Sequence, residues 1–268
     1  MFGTVALLVL EAWAACAVLQ AALWAIAQRT KNAGIVDVGW AQSFTVIVLL
    51  FGLQSKVPRE SWLPLAALVI AWSTRLTCYL ISRGAATGKE EGRYVDLRRR
   101  WALRASRRFF VFFQAQAALS ALLSIAFVIP FVTNPEGGAV LRALGFSIAA
   151  IGVVGETLAD AQLAAWKQDL ANRGKVCDRG LWSWSRHPNY FFEWCVWIGF
   201  AVYCLAFGAW GLLGLLGQGI IIASIFGVTG IPPTENQAIR SKGDAYREYQ
   251  KRVSRFIPMP PKSRGHEA

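Results

Sequence analysis

Apolar runs of about twenty residues recur along this 268-residue chain, and no other feature constrains its fold as much. A helix rises about 1.5 Å per residue, so each run can cross the hydrocarbon core of a bilayer while satisfying its own backbone. Seven spans are predicted, at residues 5–27, 35–53, 62–82, 109–132, 142–164, 190–208 and 210–228. With 55% hydrophobic and 16% charged residues, the expected fold class is all-α and integral to the membrane. It would be a seven-helix bundle forming one membrane domain over residues 1–268, with a cytoplasmic tail at 229–268. The first run, Val5 to Ala27, follows no basic leader and ends at no small-residue cleavage site, so it is expected to stay as a span.

The net charge of +12 invites comparison with nucleic-acid binders, but its distribution argues for topology instead. Of 28 Lys and Arg residues, 24 fall in the connections after spans one, three and five and in the tail. Only two fall in the alternate connections. By the positive-inside rule the N-terminus is expected outside and the C-terminus in the cytoplasm, with anionic lipid or an anionic cofactor as beneficiaries and no role for nucleic acid. Five cysteines without a C-x-x-C pair imply packing residues, and only two histidines, His187 and His266, argue against a metal centre.

Ser185-Arg186-His187-Pro188-Asn189-Tyr190, with Glu193 three further on, marks the entry from a basic loop into an apolar helix. Pro188 suits a first helical turn, and Asn189 and Glu193, four apart, carry polar groups into the membrane on one face. A plainer account is an N-cap with interfacial anchoring, which Ser185 and Tyr190 would serve. Glu11, Asp37, Arg75, Glu156, Asp160 and Glu193 all fall in or beside predicted spans, where ionisable groups are costly and face the bundle interior. Glu156 and Asp160 are four apart, with Lys167 seven beyond. Arg75 and Tyr79 repeat that spacing in span three. Six such residues point to a polar cavity open to the cytoplasm, although Glu11 finds no role in it.

Basic residues gather where such a cavity would open: Arg83, Arg93, Arg98, Lys167, Lys175, Arg186 and the tail from Arg240 to Arg255. Arginine forks and lysine point charges both suit phosphate. The connection from Arg83 to Arg108 starts with turn-forming glycines and continues as a basic amphipathic helix, Arg93 to Trp101, for which lipid headgroups are the plainer ligand. Gly208, Gly211, Gly214 and Gly217 recur every three residues, a spacing read as close helix packing.

The run from Gly180 to Glu193 resembles the signature of the steroid 5α-reductase family. It is closest to a bacterial branch, an uncharacterised family of proposed steroid dehydrogenases. Asn32 to Trp40, Glu90 to Tyr94 and the tail from Tyr246 to Pro258 match the same branch. The resemblance implies NADPH in a cytoplasm-facing cavity of a bacterial inner-membrane protein, here taken as a monomer. It implies hydride transfer to the double bond of a lipid-soluble enone, such as a Δ4-3-oxosteroid, entering from the bilayer. Asp37 matches the family's substrate-gripping acid. The partner tyrosine falls at or near Trp72, with Tyr79 one alternative. Cofactor contacts carry over to Asp160, Lys167, Lys175, Asn189, Glu193 and Glu235, and the remaining cavity and mouth residues Arg75, Arg83, Arg93, Tyr94, Arg98, Glu156, Arg186, His187 and Tyr190 are assigned with them. The Arg-His-Pro-x-Tyr core also resembles S-adenosylmethionine-dependent methyltransferases of membrane lipids or isoprenylcysteine, which stand as the alternative enzyme. A lipid-binding scaffold is the non-catalytic alternative.

Overall fold

The computed structural model describes residues 1–227 and 230–262. His266 and the end of the seventh predicted span, Val228, lie outside the described residues. Among those described, the chain is helical throughout and forms no strand, only an isolated bridge between Ser185 and Ser254. Ten α-helices follow in order: α1 Phe2–Thr30, α2 Ile35–Gln54, α3 Arg59–Ser82, α4 Gly92–Trp101, α5 Ala105–Ser124, α6 Ala139–Gln168, α7 Pro188–Cys204, α8 Gly214–Phe226, α9 Ile231–Lys242 and α10 Asp244–Arg252. Five segments are long and apolar enough to cross a membrane: α1, α2, α3, α6 and the stretch Pro188–Lys242.

The predicted span at 109–132 is observed as α5, which stops at Ser124 and gives way to a 3₁₀ turn at Ile129–Phe131. Arginines in its first turn and Gln114 and Gln116 in its middle dilute its apolar run. The glycine ladder is also reassigned. Phe207 and Gly208 leave helical geometry, Gly208 at φ 67°, so the repeat straddles a break between α7 and α8. A Cβ on Gly208 would overlap the Glu136 carboxylate, and one on Gly211 would overlap the Cys204 carbonyl. These glycines let the chain turn back on itself.

The chain divides into two compact units, Met1–Arg142 with Ala201–Gly217, and Ala143–Phe200 with Gln218–Ala268. In the first, α1 packs on α2 and α5, and α2 packs on α3 and α5. A left-handed Lys31 ends α1, and the Asn32 side chain accepts the Gly34 N–H at 2.9 Å, turning the chain into α2. Edge-to-face contacts among Trp40, Phe44 and Trp72 fill the space between α2 and α3. The expected amphipathic helix is α4, whose only buried residue is Tyr94.

In the second unit a stripe of small residues on α6 lets α7 approach closely. A Cβ on Gly152 would meet the Val196 backbone, one on Gly155 the Phe192 ring, and one on Gly199 the Ala149 backbone. Gly145, Ala149, Gly152, Glu156 and Asp160 follow three- and four-residue steps, so the two acids continue the seam that the glycines open. Beyond α8, the amphipathic α9 and α10 pack together through Ile239, Tyr246, Tyr249 and Val253.

Candidate functional site

Two clusters emerge, one in each unit, and each joins two of the motif segments singled out above. In the first unit, Asn32 to Trp40 is laced to Glu90 to Arg98. The Asn32 amide donates to the Gly88 carbonyl at 3.0 Å, and the Ala33 N–H donates to Glu90 Oε1 at 2.8 Å. Arg98 grips both oxygens of Glu90, at 2.6 and 2.9 Å. Burial alone would raise the Glu90 carboxyl, but the Arg98 hydrogen bonds, the Ala33 N–H and the Arg98 charge outweigh it and hold Glu90 below the usual carboxylate range.

That scaffold presents Asp37, in the first turn of α2, to the first turn of α4. Tyr94 Oη donates to the Asp37 carboxylate, 2.9 Å from each oxygen, and the Arg93 guanidinium pairs with Oδ2. Arg93 also lies over the Tyr94 ring at 4.6 Å, and the ring is buried against Ala33, Val36, Phe109 and Phe113. Burial pushes the Tyr94 hydroxyl above its ordinary value, and the adjacent Asp37 charge adds to the rise. Tyr94 therefore stays protonated and works as a donor.

Trp72 and Tyr79, the two residues matched to the family's tyrosine, both lie on α3. Trp72 is fully buried in the aromatic core beside Trp40 and Phe44. Tyr79 lies on the last turns of α3, with Arg75 6.0 Å and Arg83 5.5 Å from its ring. The phenol that meets Asp37 is Tyr94, a residue of the matched Glu90–Tyr94 segment that the family resemblance sets among the cofactor contacts. The usable signal was that Asp37 and Tyr94 both sit inside matched motif segments.

In the second unit, Ser185 to His187 is held by the tail. Ser185 Oγ donates to the Phe256 carbonyl at 2.7 Å, and the Arg186 N–H donates to the Ser254 carbonyl at 2.8 Å. The buried Arg186 guanidinium donates to Glu235 Oε1 at 2.7 Å and to the carbonyls of Gln250 and Val253 at 3.0 and 2.8 Å. His187 Nε2 lies 3.3 Å from the same Glu235 oxygen, and its ring stacks on Tyr190. Gln250 supplies a further donor to Glu235 at 3.1 Å, and Tyr249 Oη donates to the Trp182 carbonyl. Gln250 and Tyr249 join this cluster with no sequence signal of their own, because the loop-to-tail contacts span more than sixty residues and leave no local periodicity to read.

The α6–α7 seam brings Glu156, Asp160, Asn189 and Glu193 into one row. Glu156 and Asp160 are 5% and 4% exposed, and the Asn189 amide reaches Asp160 Oδ1 at 3.4 Å. Glu193 Oε1 accepts the indole N–H of Trp197 at 2.9 Å. On the same helix beyond Asp160, Leu163, Trp166 and Lys167 line a cleft of about 350 Å³ that also takes in Arg173, Lys175 and Lys242. Four cations against the single acid Asp169 suit a ligand bearing phosphates, and the Trp166 ring, with Arg179 5.2 Å away on its face, suits a planar group. The donor set of this unit fits a phosphorylated nucleotide.

Similarity to known proteins extends along nearly the same residues. The chain is similar to the uncharacterized protein C594.04c of Schizosaccharomyces pombe, 27% identical across 88% of this chain and 75% of that one. No solved structure matches. The model of a family described as "Protein of unknown function (DUF1295)" matches residues 23–253, and on that match the chain belongs to the DUF1295 family.

Proposed function

We propose that this protein is an NADPH-dependent reductase of the carbon–carbon double bond of a lipid-soluble enone, of the steroid 5α-reductase type. The observation that carries the reading is the row of buried polar residues on α6 and α7 that runs on to a cationic cleft on α6. Ionisable residues carried into apolar helices mark ligand pathways in membrane proteins, and this row leads to cations suited to phosphate. In this reading α5 and the stretch broken at Gly208 complete seven spans, the N-terminus is outside, and the cofactor residues face the cytosol.

Lys167 and Lys175 would neutralise the cofactor phosphates, while Asn189, Asp160 and Glu193 fix its polar edges. A bound NADPH would supply the hydride for the enone β-carbon, and water would supply the proton for the α-carbon. The chain's part in that reaction is electrostatic. Tyr94 Oη, which donates to Asp37 here, would turn its O–H to the enone oxygen, which gains negative charge as the hydride arrives, while Asp37 positions the phenol. Arg93 holds Asp37 in place and adds positive charge.

Titration of the purified protein with NADPH, followed by nicotinamide fluorescence, tests the reading. Glu193→Gln keeps shape and removes charge, so it should weaken binding about tenfold or more, since hydrogen bonds to charged groups contribute about 1.5–3 kcal/mol. A parent protein that retains S-adenosylmethionine and ignores NADPH would instead make it a methyltransferase.

A further inference from the structure

The corner between α4 and α5 has no part in the proposed reduction, yet it carries a dense run of exposed arginines. Arg99, Arg100, Arg104, Arg107 and Arg108 fall within ten residues, all exposed, and no acidic residue occurs between Asp96 and Glu136. The neighbouring arginines behave differently, since Arg93 and Arg98 are taken up by Asp37 and Glu90. Between the two groups of cations Leu103 stands fully exposed. One turn past Arg107 and Arg108, Phe110 and Val111 also face outward, so α5 passes from guanidinium groups to apolar side chains within a few ångströms of rise.

The corner is also built rigidly. Ala102 takes φ 44° and ψ −123°, a conformation unfavourable for a residue with a Cβ, and it turns the chain sharply from α4 into α5. Trp24 of α1 donates its indole N–H to the Ser106 carbonyl at 3.1 Å and sets its ring edge-on to Phe110 at 5.1 Å. An indole beside an arginine row is the pattern of a membrane interface. Orphan guanidinium groups with an exposed leucine among them match a headgroup phosphate with acyl chains below it.

We propose that this corner is a docking site for the phosphate of an anionic phospholipid. The arginines grip the headgroup, and Leu103, Phe110 and Val111 lie along its acyl chains. The inference rests on the membrane-spanning character of α1 and is independent of the reductase reading.

The test uses the full chain in a neutral detergent, offered equal amounts of phosphatidylglycerol and phosphatidylcholine with identical acyl chains. Lipid retained through purification is read by mass spectrometry. The parent should enrich phosphatidylglycerol, with a loss of about fivefold in preference for each arginine changed to glutamine at Arg104, Arg107 and Arg108. Arg→Lys at the same positions should keep most of the preference, and Leu103→Ser should shorten retention without changing selectivity. Excess glycerol phosphate should not compete, because it lacks the acyl chains. A comparison variant neutralises Arg240, Arg247, Lys251, Arg255 and Lys262 in the tail. Equal loss of preference in that variant would reduce the effect to net charge, and an unselective parent would overturn the proposal outright.

Discussion

Both units set an arginine of a matched motif against a carboxylate distant in sequence, but the two pairs live in different surroundings. Arg93 and Asp37 have side chains 55% and 22% exposed, whereas those of Arg186 and Glu235 are 9% and 12% exposed. Arg93 makes ion pairs with Asp37 and Glu91 only. Arg186 spends its donors on a carboxylate and two carbonyls at once. An open pair can exchange its partner for a ligand at little cost, while a buried, fully coordinated one cannot. The difference separates a pair open enough to meet a ligand from a clasp, although the two arginines are alike in the sequence.

Truncating each arginine is the most forceful way to break that contrast. Arg186→Met leaves Glu235 and two carbonyls buried without their main donor, so it should cost about 3–5 kcal/mol and leave little folded protein. Arg93→Met should cost about 0–1 kcal/mol, since the Arg93 side chain is more than half exposed and Tyr94 still bonds Asp37. Thermal unfolding in detergent, read by size-exclusion chromatography, measures both. Equal losses would mean that the open pair is structural too.

The second test asks whether the open pair does chemistry. Asp37→Asn keeps the shape of the carboxylate while removing the charge that Tyr94 and Arg93 share. It should leave NADPH affinity nearly unchanged and lower reduction of a Δ4-3-oxosteroid by about 10²–10³, the usual cost of losing one oxyanion-stabilising group. Single-turnover absorbance at the nicotinamide band reads this directly. Full turnover by a folded variant would reassign Asp37 to the tether between α2 and α4.

What the sequence made legible follows from the range of the forces involved. The helices are local, and apolar runs with their flanking charges locate α1, α2, α3 and α6 to within a few residues. The spacing of Glu156, Asp160 and Lys167 on α6 is also local, and it holds. The break at Gly208 was less visible, because a three-residue glycine repeat looks the same whether it packs a helix or interrupts one. Least legible were the contacts that join distant segments. Asp37 has Tyr94 as its phenolic neighbour, at 57 residues' remove, and no local pattern links the two. Arg186 looked like a phosphate ligand by residue type, and only the return of the tail past Gln250 and Val253 shows how its donors are occupied.

The smallest predicted effect probes how dry the clasp is. His187 is 2% exposed, and burial pushes its imidazole below the ordinary value of about 6.5. Glu235 opposes that shift through its hydrogen bond and charge, while Arg186 and Arg255 reinforce it. A histidine kept neutral by the fold takes up its proton more readily in the unfolded chain. Stability therefore falls as pH drops below about 6.5 and levels off only beneath the native value, at a slope of at most about 1.4 kcal/mol per pH unit. His187→Gln removes the titrating group and keeps a polar side chain. Unfolding midpoints of parent and variant between pH 8 and pH 5 should run parallel above about 7 and converge below about 6.5, as the parent alone loses the advantage. A parent that instead gains on the variant as pH falls would show Glu235 prevailing over burial. The clasp would then be as open to charge as the Asp37 pair, and the contrast between the two units would fail.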